Sequence, residues 1–80
     1  MSVVQFQSAH QKIVNLLVEY DQLNKADLRA QIKNPNAVDH TFTRRCQLLD
    51  QANQLSEKYF KTNYRYIPAY EEAFGHKFPS

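Results

Sequence analysis

Cysteine, glycine and tryptophan are scarce in this 80-residue chain, which contains one cysteine (Cys46), one glycine (Gly75) and no tryptophan. A single cysteine cannot form a disulfide within the chain, whereas secreted domains of this size are normally cross-linked by several. We therefore expect an intracellular, cytoplasmic protein. A chain this short buries only about 60% of its unfolded surface. We also expect association with a second chain, either another protein or a second copy, to add stability.

Long apolar runs are missing as well. The richest stretch, from Ile13 to Val18, is interrupted by Asn15, whereas a membrane span needs about 18 consecutive apolar residues or more. Residues 1–11 are polar and do not contain the apolar core of a signal peptide. The sequence therefore predicts a soluble protein that does not bind membranes.

Clusters of residues typical of catalysis or metal binding are not found either. His10, His40 and His76 lie in separate segments, and none is followed by a second ligand three or four residues later, as a helical metal site requires. Glu71 and Glu72 are adjacent, so a helix would direct them to different faces. Without a convergent set of acid, base and nucleophile, we expect a protein that is not an enzyme and that binds no metal or cofactor.

The net charge of +2 is small but unevenly distributed. Residues 1–24 carry a net charge of −1, residues 25–65 carry +4, and residues 66–80 carry −1. The total is low for a dedicated nucleic-acid-binding protein, although the central segment leaves room for a local basic face.

The first segment has the periodicity of an amphipathic helix. Apolar residues form two series of seven-residue spacing, which are Phe6, Ile13 and Tyr20, and Ala9, Leu16 and Leu23. Leu17 widens this stripe toward a core-facing surface. Ser2, with Gln5 three residues later, is typical of a capping box. The pattern predicts a helix over about residues 3–33.

The stripe changes direction near residues 24–27, and two interpretations follow. Either one helix continues to about residue 33, or Asn24 caps a new helix after a break. Leu28 and Ile32 are rotated away from the earlier stripe, which suggests the break. The good helix formers from Lys25 to Gln31 favour the continuous helix.

The remaining elements follow from the prolines and the single glycine. Residues 34–36, Asn-Pro-Asn, predict a turn, with Asn36 as the cap of a second amphipathic helix over about residues 37–61. A short connection makes consecutive helices antiparallel. Pro68 and Gly75 predict a short helix over about residues 68–74. We therefore expect a single all-α domain, an antiparallel hairpin of two long amphipathic helices with a short C-terminal helix.

An acid and a base interrupt the apolar stripes of the two long helices. Asp27 continues the seven-residue series of the first helix, and Arg45 lies on the apolar face of the second. Counted outward from Pro35, they occupy nearly mirror-image positions in a hairpin. We predict a structural Asp27–Arg45 ion pair that fixes the register of the helices more than it adds stability. The alternative is that Asp27 caps a kinked helix and Arg45 extends to water.

Aromatic residues are concentrated near the C-terminus. Seven of the ten lie in the last 22 residues, namely Tyr59, Phe60, Tyr64, Tyr66, Tyr70, Phe74 and Phe78. The spacing of Tyr66, Tyr70 and Phe74 by four predicts one strip if the segment is helical. Three interpretations remain open: the rings complete the core, they form a protein-binding patch, or they stack on nucleic-acid bases.

We expect a non-enzymatic protein-interaction module that binds a protein partner through its helical and aromatic surfaces. It would act as a small regulator, adaptor or inhibitor, including the kind that phages and plasmids encode. The candidate partner-binding residues are Tyr64, Arg65, Tyr66, Tyr70 and Phe74. In a homodimer, two hairpins would pair the apolar margins formed by Val14, Leu28 and Ile32.

The alternative function is that of a nucleic-acid-binding accessory protein with a basic and aromatic face at residues 44–66. Its candidate contacts are Arg44, Lys58, Lys61 and Arg65. The last three are spaced so that one helical face would carry them together.

Overall fold

The computed structural model describes residues 2–36 and 41–79, which form helices and connecting turns without a strand. In chain order the elements are α1 (Val3–Lys33), α2 (Phe42–Phe60), a 3₁₀ turn (Tyr64–Tyr66) and α3 (Pro68–Phe74). The two long helices pack against each other and are followed by the short C-terminal helix, so the predicted all-α fold is confirmed. No helix in this part of the chain is long and apolar enough to cross a membrane.

Helix α1 is continuous through residues 24–27. At its start, the Ser2 hydroxyl accepts a hydrogen bond from the Gln5 backbone N–H at 3.1 Å, and the Gln5 side chain accepts one from the Ser2 N–H at 3.2 Å. These two bonds satisfy N–H groups that the helix itself leaves unpaired. With 31 residues at a rise of 1.5 Å per residue, α1 is about 46 Å long.

Helix α2 begins at Phe42 with Thr41 as its N-cap, and it ends at Phe60. The prediction that Asn36 caps this helix is wrong, because Asn36 lies in the turn after α1 and its N–H donates to the Asn34 side chain at 3.2 Å. The start of the helix predicted near residue 37 falls on residues 37–40, which lie outside the described part of the chain. With 19 residues, α2 is about 28 Å long and shorter than α1.

The C-terminal segment folds back along α1 and places α3 on it. The buried Ser56 hydroxyl donates to the Thr62 carbonyl at 2.6 Å, which fixes the chain as it leaves α2. The Asn63 side chain accepts from the Arg65 N–H at 3.0 Å and begins the 3₁₀ turn. Helix α3 ends at Phe74, and its C-cap is Gly75, whose φ of 77° lies in the left-handed region that glycine adopts most easily.

The core lies where α1 packs against both α2 and α3. Its buried cluster consists of Ile13, Val14, Leu17, Ala52, Tyr64, Ile67 and Ala69. Near the start of α1 and the end of α2, the rings of Phe6 and Phe60 meet edge to face with centroids 5.2 Å apart. Val14 is only 7% exposed, so it is not available at the surface for the dimer contact predicted for it. Leu28 and Ile32 are exposed.

Candidate functional site

Most of the C-terminal aromatic residues belong to one packed cluster centred on Tyr70. The Tyr70 ring lies 4.6 Å from that of Phe74, 5.8 Å from that of Phe78 and 6.4 Å from that of Tyr64, measured between centroids. Phe74 in turn contacts Tyr20 of α1 edge to face at 6.5 Å. Tyr64 is buried, and Tyr70 and Phe74 are half-buried. Of these three predicted partner-binding residues, Tyr64 therefore has little exposed surface, and Tyr70 and Phe74 keep only part of theirs.

The spacing of Tyr66, Tyr70 and Phe74 predicts one helical strip, but Tyr66 does not join the other two residues. It lies in the 3₁₀ turn, and Ile67 between it and α3 is extended, with φ −105° and ψ 157°. The physical reason is Pro68, which disfavours helical geometry at the residue before it. Tyr66 instead meets Phe78 edge to face at 5.8 Å and remains 66% exposed.

Arg65 lies beside Tyr66 and is held by the rings of two other residues. Its guanidinium carbon is 5.7 Å from the centroid of the Tyr64 ring and 5.0 Å from that of the Phe78 ring. Its Nε–H donates to the Tyr64 hydroxyl at 3.4 Å. This hydrogen bond is the main reason that the pKa of Arg65 is raised above its ordinary value. Arg65 is thus a permanently charged, oriented side chain at the surface.

Arg65 and Tyr66 line a cleft of about 410 Å³, here called the C-terminal cleft. The cleft is lined by Arg65, Tyr66, Ile67, Pro68, Glu71, Lys77 and Phe78. It therefore combines two cations and one carboxylate with two aromatic rings. Among the described residues, none of these three charged groups has an ion-pair partner within 4.0 Å.

Sequence reasoning missed Glu71, Lys77 and Phe78 as parts of this site. Lys77 and Phe78 reach the cleft because the left-handed turn at Gly75 reverses the chain after α3. A glycine just beyond a short helix signals such a reversal. It does not signal where the following residues will pack.

The residues of the predicted basic face are spread over α2, its C-cap and the 3₁₀ turn. Arg44 is paired with Glu19, with Nη2 and Oε2 3.0 Å apart. Lys58 lies over the Tyr59 ring at 5.2 Å, and Lys61 forms the C-cap of α2. Arg44 and Lys58 are fourteen residues apart on one helix, a distance of about 21 Å along its axis.

Asp27 and Arg45, the predicted structural pair, are brought together across the hairpin. Arg45 Nη2 lies 3.7 Å from Asp27 Oδ2, and their side chains are 14% and 12% exposed. Arg45 also donates to the Asn24 side chain at 3.1 Å and to the Thr41 hydroxyl at 3.0 Å. The pair belongs to the framework of the hairpin and lies on different elements from the C-terminal cleft.

Other polar contacts join elements without forming a reactive site. His10 of α1 contacts the Glu72 carboxylate of α3 through Nε2. In residues 2–36 and 41–79, no group of three or more His, Cys, Asp or Glu side chains could hold a metal ion. Cys46 is an exposed free thiol. What the protein binds must be inferred from its own side chains, because no protein-family model, no curated protein and no solved structure matches this chain.

Proposed function

We propose that this protein is a small, non-enzymatic protein-interaction module that binds a partner protein at its C-terminal cleft. The supporting observation is the placement of Arg65 and Tyr66. A guanidinium that contacts two rings lies next to a tyrosine that is 66% exposed, and both residues line the cleft. Tyrosine and arginine are among the residues that contribute most to binding at protein interfaces.

The packing beneath the cleft makes this placement favourable for binding. The rings of Tyr64 and Tyr70 pack against each other, and Phe78 contacts both Arg65 and Tyr66. Ordering flexible side chains upon association costs about 0.5–1.5 kcal/mol for each one. Because these contacts already restrict the side chains in the free protein, much of that cost is avoided. The protein would act as a regulator, adaptor or inhibitor in the cytoplasm.

Nucleic-acid binding has less support from the same residues. A single-strand platform combines several exposed rings with a continuous groove of cations. Here Tyr66 is largely exposed, whereas Tyr64 is buried and Arg44 is paired with Glu19. Glu71 adds a negative charge to the cleft. A partner that offers hydrogen-bond donors as well as acceptors fits this mixed surface better than a chain of phosphates.

Self-association is a second form of the same proposal, with another copy as the partner. Leu28 and Ile32 on the last turns of α1 are 50% and 81% exposed and would form its contact. Light scattering at high micromolar concentration tests this form. A mass of one chain at that concentration would exclude it.

The test of the cleft is capture of partner proteins from a lysate of the native host. The immobilised protein would be compared with its Tyr66→Ala variant by quantitative mass spectrometry. Phe42→Ala is the matched control, because Phe42 is also a largely exposed ring, at 61%, and lies at the start of α2. We expect the control to retain its partner and Tyr66→Ala to capture at least about tenfold less. Full capture by a Tyr66→Ala variant with an unchanged circular dichroism spectrum would contradict the proposal.

A further inference from the structure

We propose that the C-terminal cleft recognises an acidic peptide segment, in which an aspartate or glutamate side chain lies next to an apolar side chain. This inference rests on the proposed function and specifies the chemistry of the partner. Its basis is the arrangement of charge and aromatic surface within one cleft.

The orientation of Arg65 provides the carboxylate-binding group. The two neighbouring rings lie against the guanidinium, and Nε is bonded to the Tyr64 hydroxyl. The Nη groups have no carboxylate partner in the part of the chain that the structure describes. A planar guanidinium binds a carboxylate through two parallel N–H···O bonds. Because Arg65 is already oriented in the free protein, binding a carboxylate requires little further ordering of its side chain.

The charges that line the cleft favour a ligand with one acidic group. Lys77 is a second cation on the cleft wall, and Glu71 is its one acid. The cleft is thus net positive by one charge. Elsewhere in the described residues some charged side chains are paired, as in Arg44–Glu19 and Lys25–Asp21. The unpaired groups of the cleft leave a single excess positive charge for a ligand carboxylate.

The aromatic rings provide the surface for the neighbouring apolar side chain. Tyr66 and Phe78 meet edge to face at 5.8 Å, and Pro68 also lines the cleft. Aromatic rings pack favourably against both aliphatic and aromatic side chains. A residue adjacent to the ligand carboxylate would cover the exposed part of Tyr66.

Glu71 distinguishes a peptide from a nucleic acid. A peptide backbone has N–H groups that can donate to the Glu71 carboxylate, whereas the phosphates of a single strand only accept hydrogen bonds and would be repelled by it. The same carboxylate therefore assists a peptide and disfavours phosphates.

The test uses two blocked peptides with different side chains at one position, Ac-Gly-Asp-Phe-Gly-NH₂ and Ac-Gly-Asn-Phe-Gly-NH₂. Each is titrated into the ¹⁵N-labelled full chain while the backbone amide shifts of Tyr66, Glu71 and Phe78 are followed. The aspartate peptide should shift these amides with a Kd in roughly the millimolar range, as expected for a ligand of this size. The asparagine peptide should bind about tenfold more weakly, because it has no charge to pair with Arg65.

Two substitutions that each remove one positive charge show whether binding of the aspartate peptide depends on Arg65. Arg65→Gln should weaken binding of the aspartate peptide at least about tenfold and remove the difference between the peptides. Lys61→Gln removes an equal charge four residues away, from a residue that does not line the cleft, and should change the Kd less than about twofold. Arg65→Lys should restore only part of the affinity, since an ammonium cannot form the bidentate contact.

Three outcomes would overturn the inference. They are equal affinity for the two peptides, equal losses in Arg65→Gln and Lys61→Gln, and shifts caused by a ten-nucleotide oligothymidylate but by neither peptide. Equal affinity for the two peptides would leave the proposed function standing, since the cleft would still bind peptides through its rings. The proposed function fails separately if Tyr66→Ala retains full partner capture.

Discussion

Arg45 on α2 contacts two polar side chains of α1, with its Nη2 3.7 Å from the Asp27 carboxylate and its Nη1 3.1 Å from the Asn24 side-chain oxygen. Both members of the ion pair are largely buried, at 14% and 12% exposed. Desolvation offsets most of the attraction in such a pair, whereas loss of one partner leaves the other charge unpaired in a poorly solvated site. Arg45 therefore fixes how α2 is aligned along α1.

Replacing Arg45 should accordingly destabilise the hairpin. We expect Arg45→Met to lower the free energy of unfolding by about 2–3 kcal/mol, because Asp27 loses its cationic partner and Asn24 loses a hydrogen-bond donor, while the side-chain volume is roughly kept. Urea unfolding followed by circular dichroism measures the change. Arg44→Met is the matched control, since its pair with Glu19 is about half exposed, and it should cost less than about 0.5–1 kcal/mol.

A second substitution separates the ion pair from the other contacts of Arg45. In an Asp27→Asn, Arg45→Met double variant, the two losses should overlap by about 1 kcal/mol, because the pair is removed only once. Strict additivity of the two single variants would show that Asp27 and Arg45 do not interact.

Lys61 provides a test of backbone conformation. It is the C-cap of α2 and adopts φ 60°, the only non-glycine residue with positive φ in the described chain. The left-handed region costs a residue with a Cβ about 1 kcal/mol relative to glycine. Lys61→Gly should therefore raise the free energy of unfolding by about 0.5–1 kcal/mol. Lys58→Gly, one turn earlier inside α2, should lower it by about 1 kcal/mol. A loss of stability in both variants would contradict the strained cap.

Ser56 is a polar residue inside the core, and its role follows from one hydrogen bond. It is fully buried and donates to the Thr62 carbonyl at 2.6 Å. Ser56→Ala leaves that carbonyl unpaired and should cost about 1–2 kcal/mol in chemical denaturation. Ser8→Ala, on the exposed face of α1, is the control and should be neutral or slightly stabilising, because alanine favours helix. Equal effects of the two changes would mean that the hydrogen bond contributes nothing.

The apolar periodicity of α1 predicts which side of the helix is buried, but not how deeply each residue on that side is buried. Ile13 and Ala9 belong to the seven-residue series and are buried, whereas Phe6, in the same pattern, is 42% exposed. Leu17 lies outside both series and is fully buried. The reason is that α1 packs against α3 as well as α2, so the buried surface extends further round the helix than one partner requires. The position of α3 cannot be read from the periodicity of α1.

The cleft was only partly predictable for a similar reason. Arg65 and Tyr66, which line it, are predictable from composition, because tyrosine and arginine are typical of binding surfaces. The helical spacing of Tyr66 and Tyr70 suggested a shared strip, but the geometry imposed by Pro68 separates them. Phe78 completes the site through contacts with both Tyr66 and Tyr70. Such packing depends on tertiary structure, which local spacing does not encode.

The pH dependence of peptide binding provides a last test of the role of Arg65. The hydrogen bond with Tyr64 raises the pKa of Arg65 above its ordinary value. A basic group keeps its positive charge below its pKa and loses it only as the pH rises through that pKa, so Arg65, with its pKa raised, stays charged over the pH range of the titration. A peptide aspartate, with an ordinary pKa of about 3.9, is ionised above about pH 5.5. The Kd of the aspartate peptide should therefore change less than about twofold between roughly pH 5.5 and 9, measured from the Tyr66 and Phe78 amide shifts. A midpoint inside that range would contradict recognition of the carboxylate by Arg65. The asparagine peptide, titrated over the same range, separates any pH effect on the cleft itself from an effect on the recognition of charge.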